Sequence, residues 1–217
     1  GEIMAQISAY LAPSTIITDA GSTKQDVVAA ARSHLAPHLK NFVPGHPVAG
    51  AEKSGAGAAN ADLFRGKNVV LTPLEETSRE AAQKVTELWE ACGARVSKMS
   101  ASRHDEILAA VSHLPHVLAF ALMNHVASAG SDANETTRDN DLLRFAGSGF
   151  RDFTRIAGSS PEMWRDICLG NRETLLNQIN AYQKELTALR EMLANGDGDA
   201  LEKLFANARS ARERWLK

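Results

Sequence analysis

The rhythm of apolar positions along this chain changes near residue 98. Before it, short β-branched runs alternate with helical stretches. "STIITDAG" reads as a strand stopped by glycine, "KQDVVAAARSHL" as a helix, and "KNFVPGHPVAG" as a stretch that begins as a strand. "KNVVLTP" is another strand, "TSREAAQKVTELWEACG" a helix ending at Gly93, and "ARVSKM" a strand. Strands alternating with helices of this length predict an α/β layer with a largely parallel sheet. The layer opens on a helix rather than a strand. After residue 100 the strand signals stop. "SASRHDEILAAVSHLPHVLAFALMNHVAS" reads as one long helix and "SPEMWRDICLGNRETLLNQINAYQKELTALREML" as a second, with Pro161 suited to its first turn. "DALEKLFANARSARERWL" is a third, after the breaker "NGDGD". The expected division is residues 1–98, α/β, and residues 99–217, all-α.

One segment breaks its own pattern. "VSHLPHVLAFAL", residues 111 to 122, is apolar on nearly every side yet holds Pro115 and two histidines, His113 and His116, one turn apart. Pro115 has no N–H to donate to the carbonyl of Val111, and a proline in a helix interior costs about 3 kcal/mol. Two readings stand: a kink that fits a curved core, or a kink that aims His116 into a cleft. The histidine pair lacks Asp, Glu or Cys beside it at helical spacing, so no metal site is expected. A helix apolar almost all round needs cover on every face, and three or four helices from one chain are few for that, so a second copy is expected to complete the core.

Composition narrows the function classes. A hydrophobic content of 44% is that of a chain able to build a core. A formal net charge of −2 gives no electrostatic case for nucleic acid or an anionic membrane. Cys92 and Cys168 lie far apart with no CxxC, which fits a cytoplasmic setting. "GEIMAQISAYLAPS" has no basic n-region, so no signal peptide is expected. The most apolar run, residues 107 to 123, is short for a membrane span and is interrupted by the histidines and the proline.

In an open α/β sheet, ligands sit beyond the carboxyl ends of the strands. The polar residues at those ends are Asp19, Ser22 and Lys24 in "DAGSTK" and His46 in "GHPVAGAEKSG". No GxGxxG follows a strand. "GAGAAN" at 55 to 60 lacks the final glycine and the preceding strand. The α/β part therefore reads as a partial Rossmann-like domain whose first βαβ unit is missing, and tight dinucleotide binding by these 217 residues alone is not expected.

"TDAGSTK", "GHPVAGAEKSG", "SHLPH" and "GFRDFTRIAGSSPEMWRDI", in this order and at these distances, resemble the prephenate dehydrogenase family, including its arogenate-using and cyclohexadienyl members. The resemblance runs from residue 18 to about residue 190. It implies a dinucleotide-binding domain, of which residues 1–98 are the later part, followed by a helical substrate-binding and dimerisation domain in residues 99–217. No regulatory ACT pattern is seen at the carboxyl end. The implied reaction is oxidative decarboxylation of prephenate or arogenate in tyrosine biosynthesis, with a hydride passed to NAD or NADP. The implied partners are the small-molecule substrate and a second copy of the chain.

That chemistry needs a neutral base at the substrate hydroxyl, a cation for a carboxylate, and a nicotinamide held close. The resemblance assigns the base to His46, which as neutral imidazole can accept from a hydroxyl at pH 7. Ser22 matches the serine that orients the hydroxyl and His46 beside the nicotinamide, with Asp19 on the cofactor side. His116 matches a substrate-pocket residue, and His113 is expected to support the pocket from the core. Arg155 matches the arginine that grips a substrate carboxylate with two parallel hydrogen bonds. Asp152, one helical turn earlier, is placed to hold Arg155. Trp164 lines the pocket, and Glu52 belongs to an ionic network at its mouth. Two departures stand out: Ala51 where many relatives have Ser or Thr, and Ser148 where others have glycine. The competing readings are a helical dimerisation fragment without independent catalysis and a related β-hydroxyacid dehydrogenase.

Overall fold

The computed structural model describes residues 1–50, 57, 59–129 and 141–216. Glu52 and Ala51 lie outside these described residues. The chain opens with helix α1 (Glu2–Ser8), strand β1 (Ile17–Thr18) and helix α2 (Gln25–His34). A 3-10 turn, Ala36–Asn41, leads into β2 (Phe42–Val43) and β3 (Gly45–Val48). Then come β4 (Asn68–Leu71), α3 (Arg79–Ala91) and β5 (Arg95–Lys98). The expected elements are present, as a two-stranded sheet of β1 and β2 and a three-stranded sheet in the order β3–β4–β5; two of the three pairings are parallel and β3 is the antiparallel exception. β1 pairs with β2 in parallel, with Ile17 opposite Phe42. β3 runs antiparallel to β4, with His46 opposite Val70, and β4 runs parallel to β5. β3 is an edge strand, so Pro47, which has no N–H to give a ladder, is tolerated there.

Two apolar clusters hold this layer. Val43, Val69, Leu71, Ala81 and Val85 pack between the three-stranded sheet and α3. Ala31, Leu35 and Phe42 pack beneath α2, with Met4 and Leu11 covering them. Ser78 caps α3 by accepting from the Ala81 N–H, and Gly93 closes it at φ 80°, a left-handed turn that glycine enters without a steric penalty.

The helical part begins at Ser100, whose hydroxyl caps α4 (Ala101–Leu108). A π-helical turn, Ala109–His113, joins α4 to α5 (Leu114–Ala129), so Ala101–Ala129 is one continuous helix. The irregularity before Pro115 is therefore a widened turn. The Leu114 N–H reaches back five residues to Ala109, and the proline without an N–H follows immediately. At 29 residues, with an 18-residue window of mean hydropathy 1.5, this helix is long and apolar enough to cross a membrane by length and composition, and it is longer than the apolar run alone suggests. It also carries His104 and Asp105, both fully buried.

Short helices α6 (Asp141–Arg144) and α7 (Ser148–Thr154) follow, then a 3-10 turn, Arg155–Gly158. The single helix expected from Pro161 onward is two: α8 (Pro161–Gly170) and α9 (Arg172–Ala194). The break is at Asn171, where the backbone leaves the helical region and the side chain turns inward. Helix α10 spans Gly198–Trp215. By packing, residues 1–175 form one compact unit and residues 176–217 a second, and the site described next lies wholly in the first.

Candidate active site

A cavity of about 570 Å³ opens beyond the carboxyl end of β1, within the size range of small-molecule pockets. The turn after β1 supplies Ser22, β3 supplies His46, the widened helix supplies His113 and His116, the 3-10 turn supplies Arg155, and α8 supplies Trp164. Residues from five elements thus face one space.

The floor of the cavity is a buried polar network. His46 Nδ1 lies 2.8 Å from His104 Nε2, and His104 Nδ1 lies 2.8 Å from Asp105 Oδ1. Asp105 also accepts from the Lys24 and Gln25 backbone N–H groups, both at 2.9 Å. These are free N–H groups at the start of α2, so the carboxylate doubles as that helix's cap and ties α4 to the α/β layer. Burial alone raises the Asp105 pKa, but the hydrogen bonds from His104, Gln25 and Lys24 outweigh it and hold the group below the usual carboxylate range.

Lys24 is fully buried. Its ammonium donates to Asp19 and to the Gly45 carbonyl. Burial pulls its pKa down and Asp19 pushes it back up. Asp19 itself accepts from the Gly21 N–H at 2.8 Å and the Gly45 N–H at 3.0 Å. Its oxygens are thus committed to holding the turn that carries Ser22 against the start of β3. A methyl group on Gly45 would come within 3.0 Å of the Asp19 carbonyl, which explains the glycine at this close approach.

The three cavity histidines are all biased toward the neutral form. Burial first, then His104 and Lys24, push His46 down to about 3. Burial pushes His113 down to about 4, against an opposing pull from Asp105. His116 is lowered by burial, and the Arg155 charge adds to the effect. Their backing partners fix their rings. His116 Nδ1 donates to the Ser112 carbonyl at 2.9 Å, leaving Nε2 as an acceptor. His113 Nδ1 lies 3.2 Å from the Asn171 amide nitrogen, which also donates to the Asp105 carbonyl at 2.8 Å. An amide nitrogen only donates, so His113 accepts at Nδ1 and carries its proton on Nε2.

His116 stacks on Trp164, with ring centroids 3.8 Å apart. The Trp164 indole N–H is buried without a partner among the described residues, leaving a donor at the cavity wall. Of the residues expected from the sequence, Ser22, His46, His116, Arg155 and Trp164 come together here. Asp152 is exposed on α7 and does not line the cavity. Asp19 sits behind the cavity wall. His104, Asp105 and Asn171 were not expected from the sequence. The signal that could have found them is polar residues on the apolar faces of two helices, "HD" in α4 and Asn171 seven residues after Trp164.

Residues 1–98 match the family model described as prephenate dehydrogenase, nucleotide-binding domain, and residues 100–207 match that described as prephenate dehydrogenase, dimerization domain. The chain is 37% identical to cyclohexadienyl dehydrogenase of Zymomonas mobilis, with 98% of this chain and 70% of that protein covered. It is also 37% identical to prephenate dehydrogenase of Bacillus subtilis, with 91% of this chain covered but only 52% of that protein. Among solved structures, prephenate dehydrogenase from Aquifex aeolicus in complex with hydroxyphenyl propionate and NAD+ superposes with a TM-score of 0.87 at 37% identity, covering 98% of this chain and 71% of that one. Synechocystis arogenate dehydrogenase superposes with a TM-score of 0.79 at 28% identity, covering 99% of this chain and 74% of that one. With the Rossmann-like layer, the helical part and the histidine cavity all in place, the chain belongs to the prephenate dehydrogenase family of NAD(P)-dependent oxidoreductases.

Proposed function

We propose that the cavity carries out the oxidative decarboxylation of prephenate or arogenate, with His46 as the base. The observation that supports this most is the convergence of neutral His46, Ser22, His116 and Arg155 on one space of about 570 Å³. The balance of the reaction states what the residues must do. As the C4 hydride leaves, the C4 hydroxyl gives up its proton. The C1 carboxylate departs as carbon dioxide, its bonding electrons entering the ring, and the phenolate so formed takes a proton back. His46 takes and returns that proton. Ser22 orients the hydroxyl toward His46. Arg155 grips a substrate carboxylate, and the His116–Trp164 pair forms the wall against the ring.

The residues present fit the nicotinamide end of NAD or NADP. The Ser22 turn opens on the cavity at the carboxyl end of β1, and the cavity has room for a second ring beside the substrate. When bound, the nicotinamide accepts the hydride. Asp19 serves this side of the site through the turn it holds. We assign Asp152 to holding the Arg155 segment and, from the family resemblance alone, Glu52 to substrate binding.

The helical part acts as a homodimer. Within Leu114–Ala129 only Ala119 is buried, although the helix is apolar nearly all round. A second copy, rather than lipid, is the cover we assign to it. The match of residues 100–207 to a dimerization domain supports this; a cytoplasmic setting is part of the same proposal. The division of labour at residue 98 keeps cofactor contacts before it and substrate contacts mostly after it.

The test is an assay with prephenate and arogenate, each with NAD and with NADP, following reduced nicotinamide and released carbon dioxide together. Equal amounts of both are expected. Reduced nicotinamide without carbon dioxide would favour the β-hydroxyacid dehydrogenase reading instead.

A further inference from the structure

We infer that His104 and Asp105 are positioning residues that hold His46 with its proton on Nδ1 and share the proton His46 takes from substrate. The inference rests on the reading of His46 as the base.

The geometry runs in one direction. Asp105 accepts two backbone N–H bonds and sits 2.8 Å from His104 Nδ1, so it is the anionic end of the row and His104 donates to it. That leaves Nε2 of neutral His104 as a lone pair, 2.8 Å from His46 Nδ1. His46 therefore donates through Nδ1, and its Nε2 lone pair is left for the cavity it lines. His104 and Asp105 are fully buried, so no water competes for these bonds.

The row also resolves a difficulty. Burial, His104 and Lys24 make His46 a weak base on its own, with a pKa pushed down to about 3. When His46 Nε2 takes the substrate hydroxyl proton, the Nδ1 proton can move to His104 Nε2. The O–H bond breaks and an N–H bond forms at Nε2, then one N–H bond breaks and another forms between the two rings. The positive charge comes to rest on His104, against the Asp105 carboxylate. The reverse moves return the proton to the product phenolate. Around the two rings the charged and titratable groups are Lys24 with Asp19 from the turn after β1, Asp105 on α4, and His113 from the widened turn. Lys24 is paired with Asp19, which leaves Asp105 as the anion in contact with His104.

Nitrogen-15 NMR of the histidine-labelled 217-residue chain near pH 7.5 reads the His46 tautomer without turnover. A protonated Nδ1 and a lone-pair Nε2 are expected. A His46 protonated at Nε2 would overturn the assignment. In the enzyme, His104→Gln keeps an acceptor for His46 but cannot carry a proton. It should lower kcat by about 10- to 100-fold, part of the ~10²–10⁴-fold that general-base help contributes, with KM within about twofold. Added to His46→Asn it should cause no further loss, because the two act as one unit. Unchanged kcat in His104→Gln, with His46→Asn still impaired, would overturn the relay and leave the base reading standing. Full kcat in His46→Asn would overturn the base reading and the relay with it.

Discussion

The imidazole of His116 lies flat on the indole of Trp164, 3.8 Å between centroids and 19° from parallel, and this pair closes one side of the cavity. An aromatic pair of this kind contributes about 0.5–1.5 kcal/mol beyond its buried area. Trp164→Phe keeps a ring against His116 and should raise substrate KM only slightly. Trp164→Leu removes the ring and should raise KM further, by about tenfold relative to Phe if the whole stacking energy is lost. Equal KM values for the two variants would show that the stack plays no part in binding.

Arg155 is expected to hold a carboxylate present both in the ground state and at the transition state. Arg155→Ala should therefore raise KM strongly with a smaller effect on kcat. A charged hydrogen bond contributes roughly 1.5–3 kcal/mol, or about ten- to a hundredfold in affinity. Arg155→Lys should recover only part of this, because a point charge lacks the two-pronged geometry. Steady-state KM for both variants decides it, and a KM within about twofold of wild type in Arg155→Ala would refute the assignment.

Asn171 ties the break between α8 and α9 to the site. Asn171→Leu leaves His113 Nδ1 buried without its donor, while the Asp105 carbonyl loses Asn171 but keeps the Ala109 N–H. An unmatched buried polar group costs about 1–3 kcal/mol. Urea unfolding should show a loss of at least that size, while Asn171→Asp, which cannot donate to either group, should be no better. A variant as stable as wild type would mean the two contacts carry no net energy.

Stability should fall as the pH drops from about 6.5 toward 4. His46 and His113 have folded pKa values pushed below their unfolded value, to about 3 and about 4. In that interval the unfolded chain binds more protons than the folded one, so acid favours unfolding. Two such groups give a slope of up to about 2.7 kcal/mol per pH unit, twice the ~1.36 for one proton. Unfolding curves at pH 7, 6, 5 and 4.5 test this. His113→Gln should flatten the dependence, and a stability that does not change between pH 7 and 5 would contradict it.

The parts of the site that the sequence makes legible are those carried by local motifs. Ser22 follows a strand end, His46 and Arg155 sit in recognisable stretches, and Pro115 announces an irregular helix. What stays hidden depends on partners distant in the chain. His104 meets His46 across 58 residues, Asn171 meets Asp105 across 66, and Asp105 caps α2 across 81. No local pattern encodes those distances. The helix break falls on Gly170–Asn171, a pair that weakens a helix locally, and the Asn171 side chain fixes it there by donating to the Asp105 carbonyl. The antiparallel β3 was equally hidden. Strands of two to four residues carry too little pattern to fix direction, and β3 follows β2 after Pro44 alone. Asp152, one turn before Arg155 in sequence, is exposed on α7 and does not line the cavity.

The central claim is that neutral His46 takes the substrate hydroxyl proton in this cavity. Its most direct test is kcat and KM for His46→Asn, a substitution that keeps a polar side chain of similar size and removes the base. The account predicts a fall in kcat of ~10²–10⁴-fold with KM nearly unchanged. An intact kcat with a raised KM would make His46 a binding residue and contradict the account.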